Sequence, residues 1–196
     1  MPLNNKIKRE GNNKKGFTIV EIMVVVFIAS IISGTVMFRY RAFSDSVELE
    51  NMALDIVLSV REAQVFGISS RGTTDPTSFF YAYGVSFSTD NLASYVSFVD
   101  SSGDNLWYDL PAEQLKEIIF EEKYLINDIC VINNVGDSED CTPARLDILF
   151  KRPNVNAIIK TGEGGSNLSS ARIELISPSG TKANVYIADS GQVYVE

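Results

Sequence analysis

The stretch KKGFTIVEIMVVVFIASIISGTVMF, from Lys14 to Phe38, sets two lysines and a glycine ahead of about 22 almost wholly apolar residues. As a helix, Phe17 to Phe38 rises ~1.5 Å per residue and is ~33 Å long. The hydrocarbon core of a bilayer is ~30 Å thick, so the segment is long enough to cross one. A single charge, Glu21, interrupts it. A carboxylate at mid-bilayer costs up to ~2.5–3.5 kcal/mol on insertion scales, and such groups tend to face a partner. Position alone leaves two readings of Glu21: it reaches the headgroups from near the helix start, or it meets another charge.

The residues ahead of the span are basic. Lys6, Lys8, Arg9, Lys14 and Lys15 stand against Glu10 alone. By the positive-inside rule that end stays cytoplasmic. Without these five bases and one acid, the net −8 of the chain becomes −12 for the remaining side chains, which face outward. An ordinary secretory signal would be cut at small residues after the apolar run. Ala29, Ser30, Ser33 and Gly34 are small, but the run continues through Val36, Met37 and Phe38, so a cut ahead of the run fits better. Gly16-Phe17-Thr18-Ile19-Val20-Glu21, behind a short basic leader, resembles the processing site of type IV prepilins and type II secretion pseudopilins. The resemblance implies that a prepilin peptidase/methyltransferase cuts between Gly16 and Phe17 and methylates the new amine of Phe17. Glu21 then becomes the fifth residue of the processed chain.

A free amine at Phe17 is cationic and Glu21 anionic. At ~4 Å and an effective dielectric of ~20 they attract by ~4 kcal/mol before desolvation is subtracted. The two residues are one helical turn apart, so the pair could form within one chain. The resemblance implies instead that Glu21 recruits the amine of a neighbouring subunit and sets the register of a filament.

Beyond Phe38, Arg39 and Arg41 mark a membrane boundary. From Ala42 to Ser70 there is no proline and one glycine, Gly67. Leu49, Ala53, Ile56, Val60 and Ala63 recur at three- and four-residue steps, and Val47, Leu54, Leu58 and Val65 form a second row, predicting a helix with a wide core-facing side. One helix is expected from about Thr18 to about Ser69, ended by the breaker cluster Ser69–Pro76. Strand-like runs follow at 79–87, 92–99, 117–120, 124–132, 146–151 and 155–160. Loops are expected at 101–105 and 161–170, with Trp107 to Pro111 as a packed connector. The end of the chain alternates polar and apolar residues in three short runs, 172–176, 184–187 and 192–195, which predicts a β-meander with one buried face. Helix first and antiparallel strands afterwards is an α+β layout. The long helix with its Val60-Arg61-Glu62-Ala63 segment, and the terminal meander, resemble GspH/FimT-type minor pilins and pseudopilins. The expected organisation is a cleaved leader at 1–16, a transmembrane and assembly helix at 17–38, its amphipathic continuation at 39–70, and a β-rich extracytoplasmic domain at 71–196, in which one antiparallel sheet packs on the helix.

Catalytic signals are absent. The chain has no histidine, the commonest general base and metal ligand. Gly162-Glu163-Gly164-Gly165 lacks the lysine and helix of a phosphate loop. The acidic run Asp137-Ser138-Glu139-Asp140 offers hard oxygen ligands, but its spacing fits no calcium loop and a solvated loop is the simpler reading. No catalytic residue, metal or cofactor is expected. Cys130 and Cys141 are the only cysteines; outside the cytoplasm an even pair at this spacing reads as a disulfide, with two free thiols as the alternative. Arg145, Lys151, Arg152 and Lys160 are the candidates for a basic patch, but Asp147 lies among them and nucleic-acid binding is not expected. The sequence therefore reads as a non-enzymatic minor pilin or pseudopilin, single-pass in the inner membrane and then part of a periplasmic or extracellular filament. Its expected partners are the peptidase, other pilin subunits and an inner-membrane assembly platform. A major pilin, or a membrane-anchored binding domain that never polymerises, are the alternatives.

Overall fold

The computed structural model describes residues 16–69, 81–101, 108, 111–121, 123–134, 136–162 and 168–196. The breaker residues 70–76, the loop at 102–105, Trp107, residues 163–167 of the 161–170 loop and the leader before Gly16 lie outside them. The chain parts after Arg41 into two compact units. The expected helix is α1, Ile19–Ile68, 50 residues long. In the first unit, its residues Ile19–Met37 are continuous, apolar and not buried at all.

In the second unit, α1 packs on two antiparallel sheets. β1 (Ala82–Ser88), β2 (Ser94–Asp100), β3 (Gln114–Ile119), β5 (Arg145–Phe150) and β6 (Ile158–Lys160) form a five-stranded sheet in the order β3-β2-β1-β5-β6. β4 (Leu125–Ile132), β7 (Ser170–Ile176), β8 (Lys182–Ala188) and β9 (Val193–Val195) form a second, in the order β4-β7-β8-β9. The terminal meander is thus β7-β8-β9. Its strands bury alternate residues, Ala171, Ile173 and Leu175 on β7 and Ala183, Val185 and Ile187 on β8, as a half-buried antiparallel sheet requires.

The sequence reading did not separate the two sheets. β3 and β4 are neighbours in the chain yet pair with different partners. A tight turn, in which the Tyr124 N–H donates to the Glu121 carbonyl at 2.9 Å, takes the chain out of the first sheet. β4 then pairs with β7 over seven residue pairs, from Leu125–Ile176 to Ile132–Ser170, with a bulge between Ile126 and Asp128.

The first apolar row of α1 meets both sheets. Leu49, Ala53, Ile56, Val60 and Ala63 are at most 2% exposed and share one core with Val85, Phe87, Ile148 and Phe150 of the first sheet and Ile126, Ile173 and Val185 of the second. Each fully buried aliphatic side chain contributes ~1.5–3 kcal/mol relative to exposure. Gly67 is where the helix comes nearest to β5; a Cβ there would overlap the Phe150 carbonyl.

The second apolar row does not join the core. Val47, Leu54, Leu58 and Val65 are 40–64% exposed. At 3.6 residues per turn the two rows lie about 150° apart, too far for one layer of sheet to cover both. The expected wide core-facing side is one buried stripe with a separate exposed stripe opposite.

Candidate functional site at the start and outer face of helix α1

Gly16, Phe17 and Thr18 precede the first helical residue, Ile19. The Thr18 carbonyl accepts the Ile22 N–H at 3.2 Å, and the Thr18 hydroxyl oxygen accepts the Glu21 N–H at 3.2 Å. Thr18 therefore satisfies one of the orphan donors of the first turn, as an N-cap does. Glu21 falls in that first turn, where a negative charge is favoured by the helix dipole. Phe17 is 78% exposed and Glu21 is exposed too. Among the described residues, no ring contact or ion pair engages the Phe17 side chain or the Glu21 carboxylate.

The outer row of α1 in the second unit is a separate candidate surface. Phe43, Val47, Leu54, Leu58 and Val65 are all exposed, a run of large apolar side chains on the side of the helix that the sheets leave free. The spacing was visible in the sequence; its exposure was not. What holds the opposite side down is a set of polar fastenings. The Tyr124 hydroxyl and the Lys123 ammonium both donate to Glu48 Oε2 at 2.6 Å. These bonds hold the Glu48 carboxyl below its ordinary value, Lys123 first and Tyr124 second. Further along, Ser59 and Tyr95 share a hydroxyl bond at 2.9 Å, and Arg61 donates to the Gly191 carbonyl at 3.0 Å. Gly191 has a positive φ of 81° and no room for a Cβ beside Gln64 and Val155.

Cys130 and Cys141 are joined by a disulfide. Arg172 covers it: its Nη2 lies 3.1 Å from Cys130 Sγ and donates to Glu139 Oε2 at 2.6 Å. The same guanidinium reaches Glu174 and Asn184. In the chain-entropy account a closed loop of this size contributes about 3 kcal/mol. The acidic run inside it does not converge. Asp137 accepts from Asn134, Glu139 from Arg172, and Asp140 from Thr142. Asp128, Cys130 and Cys141 do come within 4.8 Å of one another, but sulfurs bonded to each other are not thiolate ligands.

The basic quartet disperses. Arg145 pairs with the buried Asp147 at 3.0 Å and donates to the Tyr108 carbonyl. Burial raises the Asp147 carboxyl above its ordinary value, with Ser86 and Arg145 opposing. Arg152 donates to the Ile68 carbonyl at the end of α1, and Lys160 stands opposite Asp147 in the sheet. A cleft of about 270 Å³ between α1 and the β2–β4 region is lined by Glu48, Met52, Asp55, Tyr95, Phe120 and Tyr124; Glu48 is already held by Lys123 and Tyr124.

Residues 11–37 match the family model described as the prokaryotic N-terminal methylation motif. No curated protein and no solved structure matches the chain. The motif implies processing by a prepilin peptidase and assembly with other pilins, and the apolar helix it covers implies membrane anchoring of the precursor. With that motif at the head of α1, and α1 packed on antiparallel sheets, the chain is a type IV pilin- or pseudopilin-like protein.

Proposed function

We propose that the chain is a minor pilin or pseudopilin of the GspH/FimT-like type. Prepilin peptidase cuts it between Gly16 and Phe17 and methylates Phe17. An inner-membrane platform then draws it from the membrane into a type IV pilus or type II secretion-like filament. The leader, residues 1–16, stays in the cytoplasm; residues 17–38 span the membrane and then pack in the filament; residues 39–70 join them to the β-rich domain, 71–196, on the far side. Glu21 takes the methylated amine of a neighbouring subunit and sets the register. The Cys130–Cys141 bridge forms outside the cytoplasm.

The observation that carries the assembly reading is the exposed row Phe43, Val47, Leu54, Leu58 and Val65 on the side of α1 away from its own sheets. A membrane anchor that never polymerises has no use for such a row past the bilayer, where each large apolar side chain loses ~1.5–3 kcal/mol by staying in water. A filament buries it. Membrane-extracted protein from cells with an active peptidase is expected to begin at methylated Phe17 by intact mass; a chain still beginning at Met1 would sink the processing reading. Glu21→Ala is expected to insert and be cut normally but to be lost from sheared filaments. If it enters them at the wild-type level, Glu21 does not set the register.

A further inference from the structure

We propose that the Cys130–Cys141 bridge is a directed thiol–disulfide exchange site, at which an external thiolate bonds to Cys141 and Cys130 leaves as a thiolate held by Arg172. The two sulfurs stand in different surroundings. Cys130 lies on β4 directly opposite Arg172 of β7. Its neighbours Ile129 and Val131 are buried in the core with Ile173 and Ala171, so Cys130 and Arg172 project together from the other face of the sheet. There Cys130 is still only 1% exposed, whereas Cys141, just past the segment that returns to β4, is exposed. An incoming thiolate therefore reaches Cys141 first.

Arg172 selects the sulfur that leaves. Its Nη2 lies 3.1 Å from Cys130 Sγ and 3.9 Å from Cys141 Sγ. The same nitrogen donates one hydrogen to Glu139 Oε2 at 2.6 Å, and Nη1 donates to Glu174 and Asn184. The guanidinium is thus fixed with a second Nη2 hydrogen left for the sulfur. A donor aimed at the charged form of a group favours that form, and the thiol that ionises more readily is the faster leaving group. Asp128, whose carboxylate comes within 4.8 Å of both sulfurs, opposes charge on either and so does not choose between them. In the exchange the external thiolate forms a bond to Cys141 Sγ, and the electron pair of the broken S–S bond goes to Cys130 Sγ. In the reverse direction the Cys130 thiolate attacks the Cys141 sulfur of the mixed disulfide, the bridge closes, and the external thiolate is released. Val131 and Asp140, beside the two cysteines, exchange two backbone hydrogen bonds at 2.8 Å. These do not depend on the S–S bond and keep the sulfurs neighbours once it is open.

The test uses the full chain in nonionic micelles, with glutathione as the external thiol and glutathione disulfide as the external disulfide. Reduced Cys130→Ser, given glutathione disulfide, is expected to gain one glutathione at Cys141, read by intact mass, ~10-fold faster than Cys141→Ser gains one at the buried Cys130. Reduction of the wild-type bridge by glutathione is expected to slow roughly 5-fold in Arg172→Met, since part of a charge-assisted hydrogen bond to the leaving sulfur is already felt as the bond breaks. Arg172→Lys, which keeps the charge, is expected to return near the wild-type rate. If Arg172 merely shields the bridge, its loss makes reduction faster. That sign would overturn the proposal, as would equal rates in Arg172→Met and Arg172→Lys, or glutathione added as fast at Cys130 as at Cys141. The two single-cysteine variants keep Arg172, so they read the direction of exchange even where Arg172→Met loosens the domain.

Discussion

At the scale of single residues, the second half of α1 is fixed by a few polar groups whose partners lie far along the chain. Glu48 is the clearest. It takes the Lys123 ammonium and the Tyr124 hydroxyl on one oxygen, both at 2.6 Å, and so ties α1 to the turn that sends β4 into the second sheet. These bonds favour the carboxylate and set its folded pKa below the ordinary 4.5. A lowered acid stabilises the fold above its unfolded value, and that contribution is lost as pH falls through the folded value. Glu48→Gln is therefore expected to lower the thermal midpoint near neutral pH, and to show a shallower loss of stability than wild type as pH drops below the ordinary glutamate value of 4.5. Thermal midpoints of the full chain in micelles across that range check it; parallel curves for the two proteins would mean the Glu48 bonds do not form. Glu48 shows why such groups escape a reading of sequence alone. On the helix it is one more charge on a solvated side, and only the fold brings Lys123 and Tyr124, 75 and 76 residues later, against it.

At the scale of the element, α1 was legible from its spacing because helical periodicity is local. The rows at 49-53-56-60-63 and 47-54-58-65, the span and the boundaries all follow from residues within a few turns of one another. Which row meets the sheets is not a local matter. Both rows are apolar, and nothing in the helix says that the first is covered and the second left open. The β-meander was legible for the same reason as the helix, through alternation and turns at Gly180 and Gly191, where φ is 82° and 81°. The two rows should respond to mutation in opposite ways. Ile56→Ala opens a cavity in the shared core and is expected to cost ~2–5 kcal/mol. Leu58→Asn, at a position 64% exposed, is expected to change stability by no more than about 0.5 kcal/mol yet to reduce recovery in sheared filaments severalfold. Unfolding of the full chain in micelles reads the first effect, and immunoblots of sheared filaments read the second. Undiminished recovery of a Leu54→Asn, Leu58→Asn double variant would remove the outer row from the assembly account.

At the scale of the whole molecule, charge is what the fold redistributes most. The side chains after Gly16 carry −12, and a basic patch able to override that would need its cations gathered and free. The sequence allowed one, since Arg145, Lys151, Arg152 and Lys160 cluster within sixteen residues around a strand pair. The fold commits two of them to internal partners, Arg145 to Asp147 and the Tyr108 carbonyl and Arg152 to the end of α1, and sets Lys160 at the register position opposite Asp147. The partners differ in burial, too. Asp147 lies fully inside, so Arg145 is bound to a charge that water does not screen, and releasing it to a phosphate would strand that carboxylate. Duplex binding depends on several cations displacing counterions together, with affinity falling steeply as salt rises. The processed chain, beginning at Phe17, is therefore expected in micelles to bind duplex DNA no tighter than ~10⁻⁵ M at physiological salt, the non-specific range. Fluorescence-anisotropy titration checks this. Tighter, salt-sensitive binding that disappears when Lys151 and Arg152 are replaced together would mean that these two side chains form the patch despite the anchoring of Arg152, and would make DNA a cargo of the filament.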